Sequence, residues 1–186
     1  CIWIAGADII RYYNNGAAGW KEDDIKRFES MLWKLYEDVR GCWRDPCMNN
    51  YGTVNFNAHL ALGAFMENDS LFEYGVDFYK MMLPRCIRKD GLLVETGRDC
   101  YHARYNIIVM MQSCEIAWNQ GIDLYGIKLE GQDMPRLQIG MEFHASCWLG
   151  VSPGVKSLNC SGLPDYKQQC GAWEMGYKHI KNRVFI

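Results

Sequence analysis

The sequence lacks a strong excess of either charge, and it lacks any long uninterrupted apolar run. Its 20 Lys and Arg residues against 22 Asp and Glu residues give a net charge of −2. That balance does not favour a nucleic-acid-binding protein, and an anionic ligand would need a local basic patch. Charged residues interrupt the apolar runs before they reach the length of a membrane span, namely Arg11, Lys80, Arg85 and Glu115. We therefore expect neither nucleic acid nor a membrane as a partner.

Three sequence patterns are also missing. There is no repeat of fixed period, which argues against a solenoid. Beyond short apolar runs such as residues 92–94, nothing predicts a ladder of strands, and no paired Cys-x-x-Cys or Cys–His spacing marks a zinc site. With 49% hydrophobic and 23% charged residues, disorder is excluded. We expect a single domain over residues 1–186 that buries a substantial core, with no metal and no cofactor.

Cysteine is abundant, and the favoured interpretation is a disulfide-bonded chain with at least one thiol free or paired outside it, because nine is an odd number. Several buried reduced cysteines in a cytosolic protein are the alternative. Two sequons, at Asn68 and Asn159, are compatible with secretion, so we expect a secreted glycoprotein. The sequence begins at Cys1 without Met or a signal peptide, and we expect a processed chain or a fragment, with other segments of the same precursor as partners. The nine cysteines are residues 1, 42, 47, 86, 100, 114, 147, 160 and 170.

Hydrophobic periodicity of three and four residues dominates the chain and predicts an all-α protein built from antiparallel helix pairs. Turn residues and prolines set the expected ends, and Pro84 is expected to stop the helix before it. The central helix precedes Asn119-Gln120-Gly121, and a long loop is expected at 149–170. Helices are predicted at 2–13, 22–41, 53–66, 71–83, 98–119, 134–148 and 171–181.

The stretch from Asp90 to Gly121 carries the main chemical clue. If its helix has begun by Arg98, then Arg98, His102 and Tyr105 fall within a sector of about 60° on one face. A fixed cation, an imidazole and a phenol in one column would hold a carboxylate and move a proton beside it.

Three passages in order resemble a known family. They are Asn50-Tyr51 opening a helix that runs to Leu62-Gly63-Ala64-Phe65, then Glu95-Thr96-Gly97-Arg98-Asp99-x-x-His102, and then residues 117–126, AWNQGIDLYG. This order is similar to the alginate lyase superfamily of polysaccharide lyases, whose members carry Glu-x-Gly-Arg-Asp-Gln-x-His followed by a Trp-Asn-Gln-Gly helix end. Cys100 stands here where Gln is usual. The resemblance covers most of 49–144 and implies an (α/α) toroid, of which this chain would form only part because family members are longer.

The resemblance implies β-elimination on a uronic acid, in which a base removes the proton α to the carboxylate and an acid protonates the departing oxygen. The carboxylate must be neutralised as charge builds on it, and Arg98 and Asn50 are the candidate donors. His102 is the candidate base, since an ordinary pKa of about 6.5 suits proton transfer near neutrality. Tyr105 is the candidate acid, or both base and acid. No metal is needed in this scheme.

Further residues are candidates for substrate binding, and each also has a structural interpretation. Glu95 either caps a helix or orients His102 or Arg98, and Arg98-Asp99 is either part of the site or an ion pair or cap. Asn49 and Asn50 are also typical turn residues, and His59 is either structural or in the cleft. The substrate-binding candidates are Asn49, Tyr51, His59, Glu95 and Tyr101.

The sequence therefore predicts a secreted lyase acting on a uronate-containing acidic polysaccharide of the alginate or glucuronan type. One alternative is a non-catalytic helical carbohydrate-binding or structural module with the same scaffold. The other is a toroid glycoside hydrolase, which would need two carboxylates across a cleft, with Glu95, Asp99 and Glu115 as candidates.

Overall fold

The computed structural model describes residues 2–40, 49–148 and 171–180. Within these ranges the regular structure is helical, as predicted, apart from one isolated bridge between Ile87 and Leu93. None of the described helices combines the length and the apolar character needed to cross a membrane. The helices are α1 Ile2–Tyr12, α2 Glu22–Arg40, α3 Asn50–Phe65, α4 Asp69–Cys86, a 3-10 turn Val94–Gly97, α5 Cys100–Asn119, α6 Arg136–Trp148 and α7 Gly171–His179.

The contacts between α3 and its neighbours show how successive helices alternate. Thr53 and Asn57 of α3 hydrogen-bond to Asn106 and Ser113 of α5, in the same order along both helices, so α3 and α5 run parallel. α4 lies between them in sequence and runs antiparallel to α3, with Gly75 against Leu60 and Gly63 against Phe72. The predicted antiparallel helix pairs are thus present, whereas closure into a toroid is not shown by the described residues.

Two glycines allow α3 and α4 to pack closely. A Cβ atom on Gly63 would lie 2.5 Å from the backbone nitrogen of Phe72, and one on Gly75 would lie 2.9 Å from the backbone nitrogen of Leu60. Around this contact the largest hydrophobic cluster joins α3, α4 and α5, and Phe56, Tyr79 and Met110 in it are fully buried. This core fixes the position of α5 relative to α3.

Several predicted helix boundaries differ from the observed ones by one to three residues. Pro84 does not stop α4, which continues to Cys86. The helical bond from Ile87 N–H to Leu83 O is kept at 3.1 Å, and Leu83, Cys86 and Ile87 are fully buried, so packing holds the last turn despite the proline. α3 begins at Asn50, as the family resemblance implied, and not at Thr53, as periodicity suggested, because Asn49 caps it. The predicted loop at 149–170 lies outside the described residues, and the single-domain assignment stays a prediction.

Two cysteines have described side chains, and both are free thiols. Cys86 and Cys114 are buried, and burial raises the pKa of the Cys86 thiol to about 12. Burial also raises the pKa of Cys114. Neither thiol belongs to the predicted disulfide framework, which for the other seven cysteines stays a prediction.

Candidate active site

The N-termini of α3 and α5 lie side by side, and the side chain of the preceding residue caps each helix. The Asn49 side chain accepts from Tyr51 N–H at 3.0 Å, and the Asp99 carboxylate accepts from His102 N–H at 2.8 Å. Glu95, which is 5% exposed, accepts from Asn50 N–H at 3.2 Å. Glu95 therefore satisfies an otherwise unpaired donor at the start of α3, and it connects the 3-10 turn before α5 to that helix.

A cavity of about 400 Å³ opens between these two helix ends. It brings together five of the nine residues predicted for the site, three from α5 and two from α3. Three of the five are tyrosines that expose between 37% and 57% of their surface, so the cavity is open to solvent. Its lining consists of Asn50, Tyr51, Val54, Tyr101, His102 and Tyr105.

His102 is held by Asp99 through its ring as well as through its backbone. Nδ1 of His102 lies 2.8 Å and 2.7 Å from the two carboxylate oxygens of Asp99. Because an ionised carboxylate only accepts hydrogen bonds, Nδ1 is the protonated nitrogen and Nε2 carries the lone pair. The backbone N–H of His102, then the bond and charge of its ring and the charge of Arg98, hold the pKa of Asp99 below its ordinary value.

The sequence interpretation did not predict the contact between Asp99 and the His102 ring. It considered Asp99 as part of the site with Arg98, as a cap or ion-pair partner, and as one of the carboxylates of a glycoside hydrolase. The signal was present in the spacing. An Asp at the N-cap and a His three residues later place the carboxylate within reach of both the backbone N–H and the ring of that His.

Arg98 does not occupy the position that the sequence suggested. The predicted column required a helix begun by Arg98, but α5 begins at Cys100 with Asp99 as its cap. Arg98 is exposed and is not among the residues that line the cavity. His102 and Tyr105 do share one face, because both belong to α5 and lie three residues apart. The catalytic role of Arg98 stays a prediction.

Asn50 contributes an unsatisfied polar atom to the cavity wall. Its side-chain Oδ1 is buried and accepts no hydrogen bond from the described residues. The Asn50 backbone carbonyl accepts from the Thr53 hydroxyl at 2.8 Å, and that hydroxyl also contacts the Asn106 amide at 2.7 Å. Since buried polar groups are normally paired, this unpaired acceptor is unusual.

The remaining predicted residues lie elsewhere. Asn49 and Glu95 act at the start of α3, as described, and do not line the cavity. His59 lies in a second, larger cavity with Tyr36 and Tyr74, and burial lowers its pKa. In the described part of the chain, no group of three or more His, Cys, Asp or Glu side chains is arranged to hold a metal ion.

The chain was compared with known proteins. The model of the alginate lyase family matches residues 3–148, which include α2 to α6, all of α1 except Ile2, and every residue of the cavity. No curated protein and no solved structure matches this chain.

Proposed function

This chain belongs to the alginate lyase family, and from that premise we propose that it cleaves a uronate-containing polysaccharide of the alginate or glucuronan type by β-elimination. Family membership points to polysaccharide lyase activity on an alginate-type substrate. The observation that carries the finer proposal is that His102, which Asp99 holds through Nδ1, lines one open cavity with Asn50 and Tyr105.

His102 is the proposed base. With Nδ1–H donated to Asp99, Nε2 is the ring nitrogen able to accept the C5 proton of the uronate. Asp99 then stabilises the imidazolium that forms, since its carboxylate keeps its charge. The electron pair of the broken C–H bond moves into the enolate of the carboxylate and then into a new C4–C5 double bond as the C4–O4 bond breaks.

Asn50 and the two helix ends are the proposed stabilisers of the developing charge. Asn50 lines the cavity, and its side-chain Nδ2–H group is the proposed donor to the uronate carboxylate. The N-termini of α3 and α5 present the positive ends of their dipoles to the same region, where they are partly offset by the carboxylates of Glu95 and Asp99. Arg98 lies outside the cavity lining, so its contribution is an expectation from the family resemblance alone.

Tyr105 is the proposed acid that protonates O4 as it leaves. It lies on the same face of α5 as His102 and is 37% exposed, so its hydroxyl exchanges protons with solvent after each cycle. A Tyr105 that serves as both base and acid is the alternative for a substrate with the opposite C5 configuration.

A glycoside hydrolase mechanism is less well supported, because the three candidate carboxylates are engaged in separate places. Glu95 binds the start of α3, and Asp99 binds His102. Glu115 lies near the far end of α5 and binds His179 at 2.8 Å. No pair of these carboxylates lines the cavity.

The test is an assay of ultraviolet absorbance from unsaturated uronate products, using alginate, glucuronan and a neutral glucan as control. We expect absorbance to rise with at least one polyuronate and not with the glucan. We expect the His102→Ala and Tyr105→Phe variants to lower kcat by about 10²- to 10⁴-fold. If no polyuronate yields unsaturated product, the chain is a non-catalytic module on the same scaffold.

We also propose that the protein is secreted, because its proposed substrate is an extracellular polymer. The sequon Asn68-Asp69-Ser70 lies at the start of α4, where Asn68 is only half-buried. Detection of the protein in culture medium of its source cells, and not in the lysate, would test this proposal.

A further inference from the structure

A second cavity of about 780 Å³ lies beside the catalytic one and shares a wall with it. It is enclosed by α1, α2 and α4, and the same helix α3 forms its floor. Val54 lines both cavities. The two spaces therefore lie next to each other along α3, the catalytic one at the N-terminus of the helix and the second one further towards its C-terminus.

Three rings form one end of this second cavity. The His59 ring lies 4.5 Å from the ring of Tyr74 and 5.4 Å from the ring of Tyr36, and His59 Nε2 lies 3.3 Å from the Tyr36 hydroxyl. Tyr74 is 51% exposed, and its ring also packs on that of Phe78 at 5.8 Å. An aromatic face beside hydroxyl groups suits a sugar ring, which presents C–H groups on its faces and hydroxyls at its edge.

One buried polar atom in this cavity has no partner. Asn55 is 5% exposed, and its side-chain Oδ1 accepts no hydrogen bond from the described residues. A buried amide oxygen without a partner is costly and uncommon. A sugar hydroxyl that enters the cavity would supply the missing donor.

Where the structure describes it, the lining of this cavity is mostly apolar and carries one cation. Arg40 is the one formally charged residue in its lining, and no Asp or Glu is part of that lining among the described residues. Arg40 is exposed and pairs with Glu37 at 2.6 Å, an exposed ion pair that a competing carboxylate can replace at small cost.

We propose that this second cavity holds further uronate units of the same polysaccharide chain that is bound at His102. The proposal rests on the proposed function for its substrate class. The chain passes over Val54, stacks a sugar ring on Tyr74, donates a hydroxyl to Asn55 and places a carboxylate near Arg40. The cavity therefore binds long substrates and not the shortest ones.

The test compares disaccharides with hexasaccharides of mannuronate or glucuronate, titrated into the full chain in a His102→Ala background so that they are not consumed. We expect Tyr74→Ala to weaken hexasaccharide binding by about three- to tenfold and to leave disaccharide binding unchanged. We expect Arg40→Gln to weaken hexasaccharide binding as well. Tyr13→Ala is the control, because Tyr13 is 73% exposed and lines neither cavity.

Equal hexasaccharide affinity in the Tyr74→Ala and Tyr13→Ala variants would overturn the proposal. The proposal would also be overturned if a hydrophobic dye bound the cavity and hexasaccharide did not displace it, because the cavity would then bind an apolar ligand. Failure of the lyase assay is a separate outcome. Hexasaccharide binding that depends on Tyr74 in a protein without turnover would support this subsite and reject the catalytic proposal alone.

Discussion

At the start of α5, one carboxylate holds both the backbone and the ring of the same histidine. The Asp99 oxygens lie 2.7–2.8 Å from Nδ1 of His102, and one of them also accepts from the His102 backbone N–H. The cap and the ring orientation are therefore two separable functions of one residue. A substitution that keeps the first function and changes the second will show whether His102 acts as a base.

Asp99→Asn is that substitution. Asn is as good a cap as Asp, but its amide favours the wrong tautomer of His102 and cannot stabilise an imidazolium. We expect kcat to fall by about 10²-fold or more and the thermal midpoint to change little. Asp77→Asn, at an exposed position of α4, is the matched control, and comparable activity of the two variants would contradict the role of Asp99.

The buried side chain of His144 lets us predict how the free energy of unfolding depends on pH. It is fully buried, and burial lowers its pKa to about 4. Since the unfolded chain takes up a proton at about pH 6.5, stability is lost as the pH falls from there towards 4, by roughly 3 kcal/mol at most. Burial lowers the pKa of His59 as well, so its effect has the same sign.

Urea denaturation at pH 7 and at pH 5 measures this loss. We expect the His144→Leu variant to lose less stability than wild type between these two pH values, whatever its stability at pH 7. An equal loss in both proteins would mean that other groups account for the acid sensitivity.

At the level of the elements, the α3–α4 contact depends on a glycine. We expect Gly63→Ala to destabilise the protein by about 1–3 kcal/mol, because its Cβ would meet the backbone of Phe72, which cannot rotate away. Gly6→Ala is the control in α1, where a Cβ meets nothing within 4 Å. That change should stabilise by about 0.5–1 kcal/mol. Chemical denaturation measures the change in the free energy of unfolding for both variants. Similar changes in the two would contradict the close packing of α3 on α4.

The start of α5 also shows what the sequence could and could not predict. Periodicity places His102 and Tyr105 on one face, because that depends only on helix geometry. Periodicity cannot place Arg98, because its position depends on whether α5 begins before or after it. Asp99 caps the helix, so α5 begins after Arg98. Pro84 is a similar case, since burial of Leu83 and Cys86 overrides a local signal.

At the scale of the whole molecule, the helix order explains why residues distant in sequence meet. Because α3 and α5 are parallel, their N-termini lie at the same end, and Asn50 meets His102 in one cavity. No local pattern in the sequence contains this information, and only the family resemblance pointed to it. By contrast, the position of His59 in a second cavity depends on how α2 and α4 pack over α3, which neither the pattern nor the resemblance specified.

The C-terminal helix α7 lies beyond the segment that matches the family, yet it packs on α5 through a partly buried pair. His179 Nε2 lies 2.8 Å from Glu115 Oε2, with 6% of the His179 side chain exposed, whereas Lys178 reaches the same carboxylate at 3.9 Å with 69% exposed. Loss of His179 removes this partner from Glu115, which among the described residues keeps only the Tyr125 hydroxyl at 3.3 Å and the distant Lys178. It also opens a gap beside the Tyr125 ring, on which His179 stacks. We expect His179→Ala to cost about 2–4 kcal/mol and Lys178→Ala less than about 1 kcal/mol. Thermal and urea unfolding measure both variants, and equal costs would mean that α7 is held by apolar contacts alone.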